Sequence, residues 1–170
     1  FMAAALPADV RRDLAAFIDR IRYPLAVRSS SLLEDSHHLP AAGIYPTHML
    51  PNADPDGAVR LEQLEHAVKH IYASTFFQDA KAYLAATPNR VEDEKMAVVI
   101  QQVVGRTHGD VVYPDISGTA RSVNYYPIRD MKPEEGIATV ALGLGRTVVE
   151  GERAIRFSPA CRRALASPRR

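Results

Sequence analysis

One cysteine, Cys161, stands in 170 residues. That is too few for an internal disulfide framework or for a zinc site built on several thiolates. No apolar run approaches the roughly 20 residues that a membrane-spanning helix needs. Residues 1–6 are apolar but carry no basic leading segment, so they do not read as a secretory signal. A cytoplasmic protein without a membrane partner is the expectation. An excess of one charge is missing too: 21 basic and 20 acidic residues leave a net charge of +1. Such a balance supports neither a nucleic-acid partner nor a membrane-surface role. Lysine is scarce, 4 against 17 arginines.

What is present suffices for a folded core. Apolar residues make up 46% and charged residues 24%, which is the composition of a globular chain of one domain or two small lobes. A chain that opens at Phe1 and closes in Ser167-Pro168-Arg169-Arg170 is expected to be a piece of a longer protein.

Apolar positions recur at three and four residues in Val10, Leu14, Phe17, Ile18 and Ile21, and again in Leu61, Leu64, Val68, Ile71 and Tyr72. Each set predicts an amphipathic helix, and Pro24 stops the first. Residues 76–86 predict a further helical segment. Between them, Leu25-Ala26-Val27 predicts a short buried strand, and residues 44–50 an edge strand held there by Pro46. Residues 96–104 are rich in valine and predict a central strand, turned by residues 105–109. Residues 110–113, 122–126, 137–142 and 154–157 predict more strands, and residues 146–151 a short helical turn. Helices dominate the first half and strands the second, an α+β order.

Three segments carry candidate chemistry. In Val27-Arg28-Ser29-Ser30-Ser31 an arginine and hydroxyls follow a strand, at the start of a loop. Arg28 can fork two phosphate oxygens, and the serines and loop amides add neutral donors. Glu34 and Asp35 could orient Arg28 or hold a hydrated Mg2+. The competing reading is a surface turn with a solvated arginine. In Val98 to Val104, Gln101 and Val103 share one side of a strand whose backbone could read adenine; the competing reading is a core strand. In Gly143-Leu144-Gly145-Arg146 two glycines permit close backbone approach to a ligand. A third glycine at dinucleotide-binding spacing is absent, as is a lysine-bearing phosphate loop. His66, His70 and Glu62 have metal-capable spacing on the second helix. The apolar face through Leu64, Val68 and Ile71 turns them toward solvent. His37 and His38 lie in the loop after the Arg-Ser segment, and Cys161 has no activating partner.

In this order the segments resemble the nucleotide-binding domain of the phosphoenolpyruvate synthase and pyruvate phosphate dikinase family. The resemblance rests on Val27-Arg28-Ser29-Ser30, Glu34-Asp35 and Ala42-Gly43. It rests also on Ala73-Ser74 before Phe76-Phe77, on Val99-Ile100-Gln101-Gln102-Val103-Val104, and on Gly143-Leu144-Gly145 with Val149-Glu150-Gly151. It runs from about Pro24 to Pro159 and implies residues 1–23 as a leading helix, 24–160 as a partial ATP-grasp domain and 161–170 as a tail.

The implied ligands are ATP and Mg2+. Arg28, with Ser29 and Ser30, would grip phosphates. The backbone of Gln101 and Val103 would read adenine, and Gly143, Gly145 and Arg146 would lie near the phosphates. In the family, ATP phosphorylates a histidine on a swivelling domain, and a barrel domain passes the phosphoryl group to pyruvate; those domains are the implied partners. Departures accompany the match. Arg146 replaces the glutamate after Gly-Leu-Gly, and Thr139 falls where an acid often stands. In Pro114-Asp115-Ile116-Ser117-Gly118 the acid is displaced by one. The family's lysine-bearing N-terminal lobe has no counterpart among these 170 residues. Two other classes follow: a non-catalytic nucleotide-sensing or interaction module of the same fold, and an arginine-driven RNA binder, which the near-zero charge opposes.

Overall fold

The structure is a computed structural model; it describes residues 1–32, 44–87, 94–127, 131–145, 148, 154–160 and 165–166. The chain divides into two compact units, Phe1–Val103 and Val104–Arg170. The division falls inside the span 24–160 that the resemblance implies as one domain.

In the first unit, helix α1 (Ala8–Arg20) places Asp9 in its first turn and Arg20 in its last, both matched to the helix dipole. Its period buries Ile18 and half-buries Leu14 and Phe17. Strands β1 (Leu25–Ser31) and β2 (Thr47–Leu50) are followed by helices α2 (Gly57–Ser74) and α3 (Gln78–Ala85) and by strand β3 (Met96–Gln102). The Asp56 side chain caps α2 by accepting from Ala58 N at 2.8 Å.

The sheet has the order β2-β1-β3, antiparallel throughout. Alternation sends Leu25 and Val27 of β1, Leu50 of β2, and Met96, Val98 and Ile100 of β3 to one face. There they pack with Ile18, Leu64, Ala67, Val68 and Ile71 of the two long helices. The leading helix is thus part of this unit's core.

The strand at Leu25 does not give way to a loop at Arg28. It runs on to Ser31 because Arg28, Ser29, Ser30 and Ser31 pair with Val99, Val98, Ala97 and Met96. Satisfied ladder groups outweigh the local turn preference of serine.

In the second unit, β4 (Arg106–His108) and β5 (Val111–Tyr113) form a hairpin, where the sequence predicts a turn at 105–109. Strands β6 (Ile116–Arg121), β7 (Ile137–Leu142), β8 (Ile155–Phe157) and β9 (Leu165–Ala166) follow in that order in an antiparallel sheet. The expected strand at 122–126 is displaced to 116–121, where six residues match β7 one for one. Residues 122–126 turn instead, with Asn124 Oδ1 accepting from Tyr126 N at 3.1 Å. The α+β class is the one observed, and every strand pair among the described residues is antiparallel.

Candidate functional site

The first unit's sheet leaves one face free of α1 and α2. By alternation this face carries Ala26, Arg28 and Ser30 of β1, Thr47 and Met49 of β2, and Ala97, Val99 and Gln101 of β3. Arg28 and Gln101, 73 positions apart, meet there: the guanidinium Nη1 donates to Gln101 Oε1 at 3.3 Å. Both are exposed. A neutral amide oxygen holds one N–H of the fork and leaves the others for an anion.

Ser29 falls on the opposite, helix-covered face, so Ser30 alone of the two shares the side of Arg28. The expected cradle of loop amides is absent from 28–31, because those amides belong to a strand.

The structure also corrects the backbone reading of β3. Val103 N donates to Pro24 O at 2.8 Å, so this N–H is already committed. Alternation then turns Gln101 toward β1 as well, and the outward backbone groups of this edge belong to Ile100 and Gln102.

In the second unit the glycine turn is built by contacts to β6. Gly143, at φ 74, takes a conformation that L side chains rarely adopt. Its N–H donates to Asp115 O at 2.9 Å, and its carbonyl accepts from Ser117 Oγ at 2.7 Å. A Cβ at Gly145 would lie 3.2 Å from Ser117 Cβ and 3.7 Å from its Oγ. The Pro-Asp-x-Ser-Gly segment and the Gly-Leu-Gly segment are therefore hydrogen-bonded neighbours at one end of the β6–β7 pair. Arg146, Glu34, Asp35, His37, His38 and Cys161 lie outside the described residues.

The residues at this turn do not fit a Mg2+ ion. Its acid, Asp115, is paired with Arg106 Nε at 2.9 Å, and His108 Nε2 stands 3.7 Å from its other oxygen. Position 139 is a half-buried threonine in β7. Among the described residues no group of three or more His, Cys, Asp and Glu side chains could hold a metal ion.

Helical spacing alone missed one cluster. Glu62 and His66 are exposed, as the helix face implies, but His70 is half-buried: its Nδ1 lies 2.9 Å from Nε2 of His48 in β2. Its ring meets Phe77 edge-on at 5.2 Å and lies 6.3 Å from His66. Burial, then the neighbouring charges of His70 and His66, hold the His48 pKa below its ordinary value. A wheel drawn on α2 contains no information about β2, so His48 was invisible to it. Phe76, the other member of the aromatic pair, stacks on Phe1 at 5.1 Å.

Among the described residues no helix is long and apolar enough to cross a membrane. No curated protein matches the chain. The model of the family described as pyruvate phosphate dikinase, AMP/ATP-binding domain matches residues 1–156, and the chain belongs to this family of nucleotide-binding domains.

Proposed function

We propose that this chain is the ATP-binding portion of a larger, ATP-dependent phosphotransferase with an ATP-grasp-like fold. The observation that carries the reading is the meeting of Arg28 and Gln101 on the open face of the β2-β1-β3 sheet. Two segments singled out for nucleotide chemistry, far apart in sequence, are neighbours there. In this reading Arg28 holds phosphate oxygens, with Gln101 orienting its guanidinium and Ser30 donating beside it. The outer edge of β3 offers backbone groups to the base, through Gln102 and Ile100. Within the second unit, the turn at Gly143 and Gly145 would by itself let a phosphate approach the backbone closely.

Phosphoryl transfer asks for positioning and charge neutralisation more than for covalent chemistry by the protein. The acceptor in this reading is a histidine on another domain of the parent protein, and pyruvate follows. These 170 residues alone do not turn over, because transfer requires a closed, water-excluding site and the acceptor.

A thermal-shift titration with ATP and AMP, with and without Mg2+, tests the reading beside Arg28→Ala. A ligand that binds only the folded state stabilises it by about 2.7 kcal/mol at a hundredfold excess over Kd. The expected result is a rise in Tm that is lost in the Arg28 variant. A shift unaffected by Arg28→Ala removes the phosphate grip from this face.

Thr139 favours a second reading, a nucleotide-sensing module without catalysis, since a hydroxyl in β7 cannot replace a metal-binding carboxylate. In that case the shift with ATP persists unchanged when EDTA replaces Mg2+.

A further inference from the structure

The helical spacing that singles out His66 and His70 as metal-capable finds a different partner in the fold. His48 shares the helix-facing side of β2 with Leu50, opposite the side that Arg28 and Gln101 occupy on the neighbouring strands. There its Nε2 comes to 2.9 Å from His70 Nδ1. Both rings are half-buried, and Phe77 meets the His70 ring edge-on at 5.2 Å. Neither ring takes part in an ion pair among the described residues.

Two distances define what the pair can hold. Nitrogens that bind one ion at about 2.0–2.1 Å stand about 3.3 Å apart in a tetrahedron and about 2.9 Å apart at a right angle. The observed 2.9 Å is the right-angle value. The ring centres agree. Rings joined in line by a hydrogen bond of this length would have centres about 5.2 Å apart, and rings meeting an ion at a right angle about 4.5 Å. Here the centres are 4.7 Å apart and the planes perpendicular, at 90°. The two rings are therefore bent out of line with each other, as two ligands of one ion are.

Among the described residues no group of three His, Cys, Asp or Glu side chains converges on one point. His66 is exposed, with its ring 6.3 Å from that of His70. The protein thus supplies two adjacent nitrogens, and water the remaining positions. Imidazole nitrogens at a right angle suit a tetragonal ion, and Cu2+ also heads the affinity order of the divalent first-row metals. Mg2+ takes oxygen ligands and has no claim on this pair.

We propose that His48 and His70 bind a divalent transition-metal ion of tetragonal preference, Cu2+ foremost, which joins β2 to α2. The ion accepts the lone pairs of His48 Nε2 and His70 Nδ1. Both rings stay neutral, because the ring that donates the hydrogen bond moves its proton to its other nitrogen. The site lies outside the nucleotide reading and uses none of its residues.

The test is isothermal titration of the full chain with Cu2+, together with an electron paramagnetic resonance spectrum at one equivalent. The expected spectrum is tetragonal, with hyperfine splitting from two nitrogens. His48→Gln and His70→Gln are each expected to weaken binding tenfold or more, and His66→Gln to leave it within threefold. Zn2+ is expected to bind more weakly than Cu2+. Circular dichroism checks that the variants fold. The spectrum of the unaltered chain decides on its own, since no signal from two nitrogens overturns the proposal whatever the variants do. Affinity lost in His66→Gln but kept in His48→Gln also overturns it, by moving the ion to the pair on α2. Zn2+ binding as tightly as Cu2+ overturns the tetragonal geometry.

Discussion

A single buried residue, Arg60, ties together the start of α2 and the end of α1. It is 1% exposed, yet its partners are backbone carbonyls: Nη1 donates to Asp54 O at 2.6 Å and Nη2 reaches Ile18 O at 3.4 Å. The Ile18 carbonyl belongs to the last turn of α1, where it also accepts from the capping Ile21 N at 3.4 Å and where the helix dipole favours a cation. Asn52 works beside it, donating from Nδ2 to Tyr23 O at 3.1 Å. Removing the guanidinium takes the side-chain donor from Asp54 O and one of the two donors from Ile18 O, which keeps Ile21 N at 3.4 Å. Arg60→Ala is expected to cost about 1–3 kcal/mol in urea unfolding. A loss below about 1 kcal/mol would mean that water substitutes for the side chain.

Contacts between elements explain what was legible beforehand and what was not. The helices α1 and α2 stand out in the periodicity, because each buries one face; the strand at 96–104 stands out by its valines and reads as central, but β3 lies at the edge of its sheet. Arg28 and Gln101 could be named as candidates from sequence, but their adjacency depends on the β1–β3 register, which no local window contains. The same holds for Ser29, sent to the wrong face by one residue of alternation, and for Val103, whose N–H is taken by Pro24.

His48 against His70 is also a contact between elements, β2 with α2, and it makes stability depend on pH. The folded pKa of His48 lies below its unfolded value of about 6.5. Below that pH the unfolded chain binds the proton more readily than the folded one. The His48 contribution is therefore intact above about pH 6.5, and it is lost as pH falls through the lowered folded value. The urea midpoint is expected to drop between pH 7.5 and 5.5, and to drop less in His48→Gln.

At the scale of the whole molecule, the two units differ in what holds them. The first buries Ile18, Leu25, Val27, Leu64, Val68 and Ile71. Among the described residues the fully buried apolar side chains of the second are Ala138, Ala141 and Ala154. Large aliphatic side chains contribute about 1.5–3 kcal/mol each on burial, and alanines far less. All of β3 and the bond from Val103 to Pro24 lie before the division. Residues 1–103 expressed alone are therefore expected to unfold cooperatively on heating, with a calorimetric peak. Residues 104–170 alone are expected to show none. A peak from the second segment and none from the first would reverse this account of where the stability resides.

The position of β1 has a consequence for synthesis on the ribosome. Its neighbour β2 emerges soon after it, but β3 follows only after both α2 and α3. Until residue 102 has been released, the edge of β1 that awaits β3 presents unpaired N–H and C=O groups along its length. A long aliphatic strand in that interval would invite pairing with another nascent chain. Here the stretch beyond Val27 is an arginine and three serines, which puts a charge and small polar residues on that waiting edge. The composition that drew notice as a phosphate grip thus also keeps the half-finished sheet from joining with a stranger.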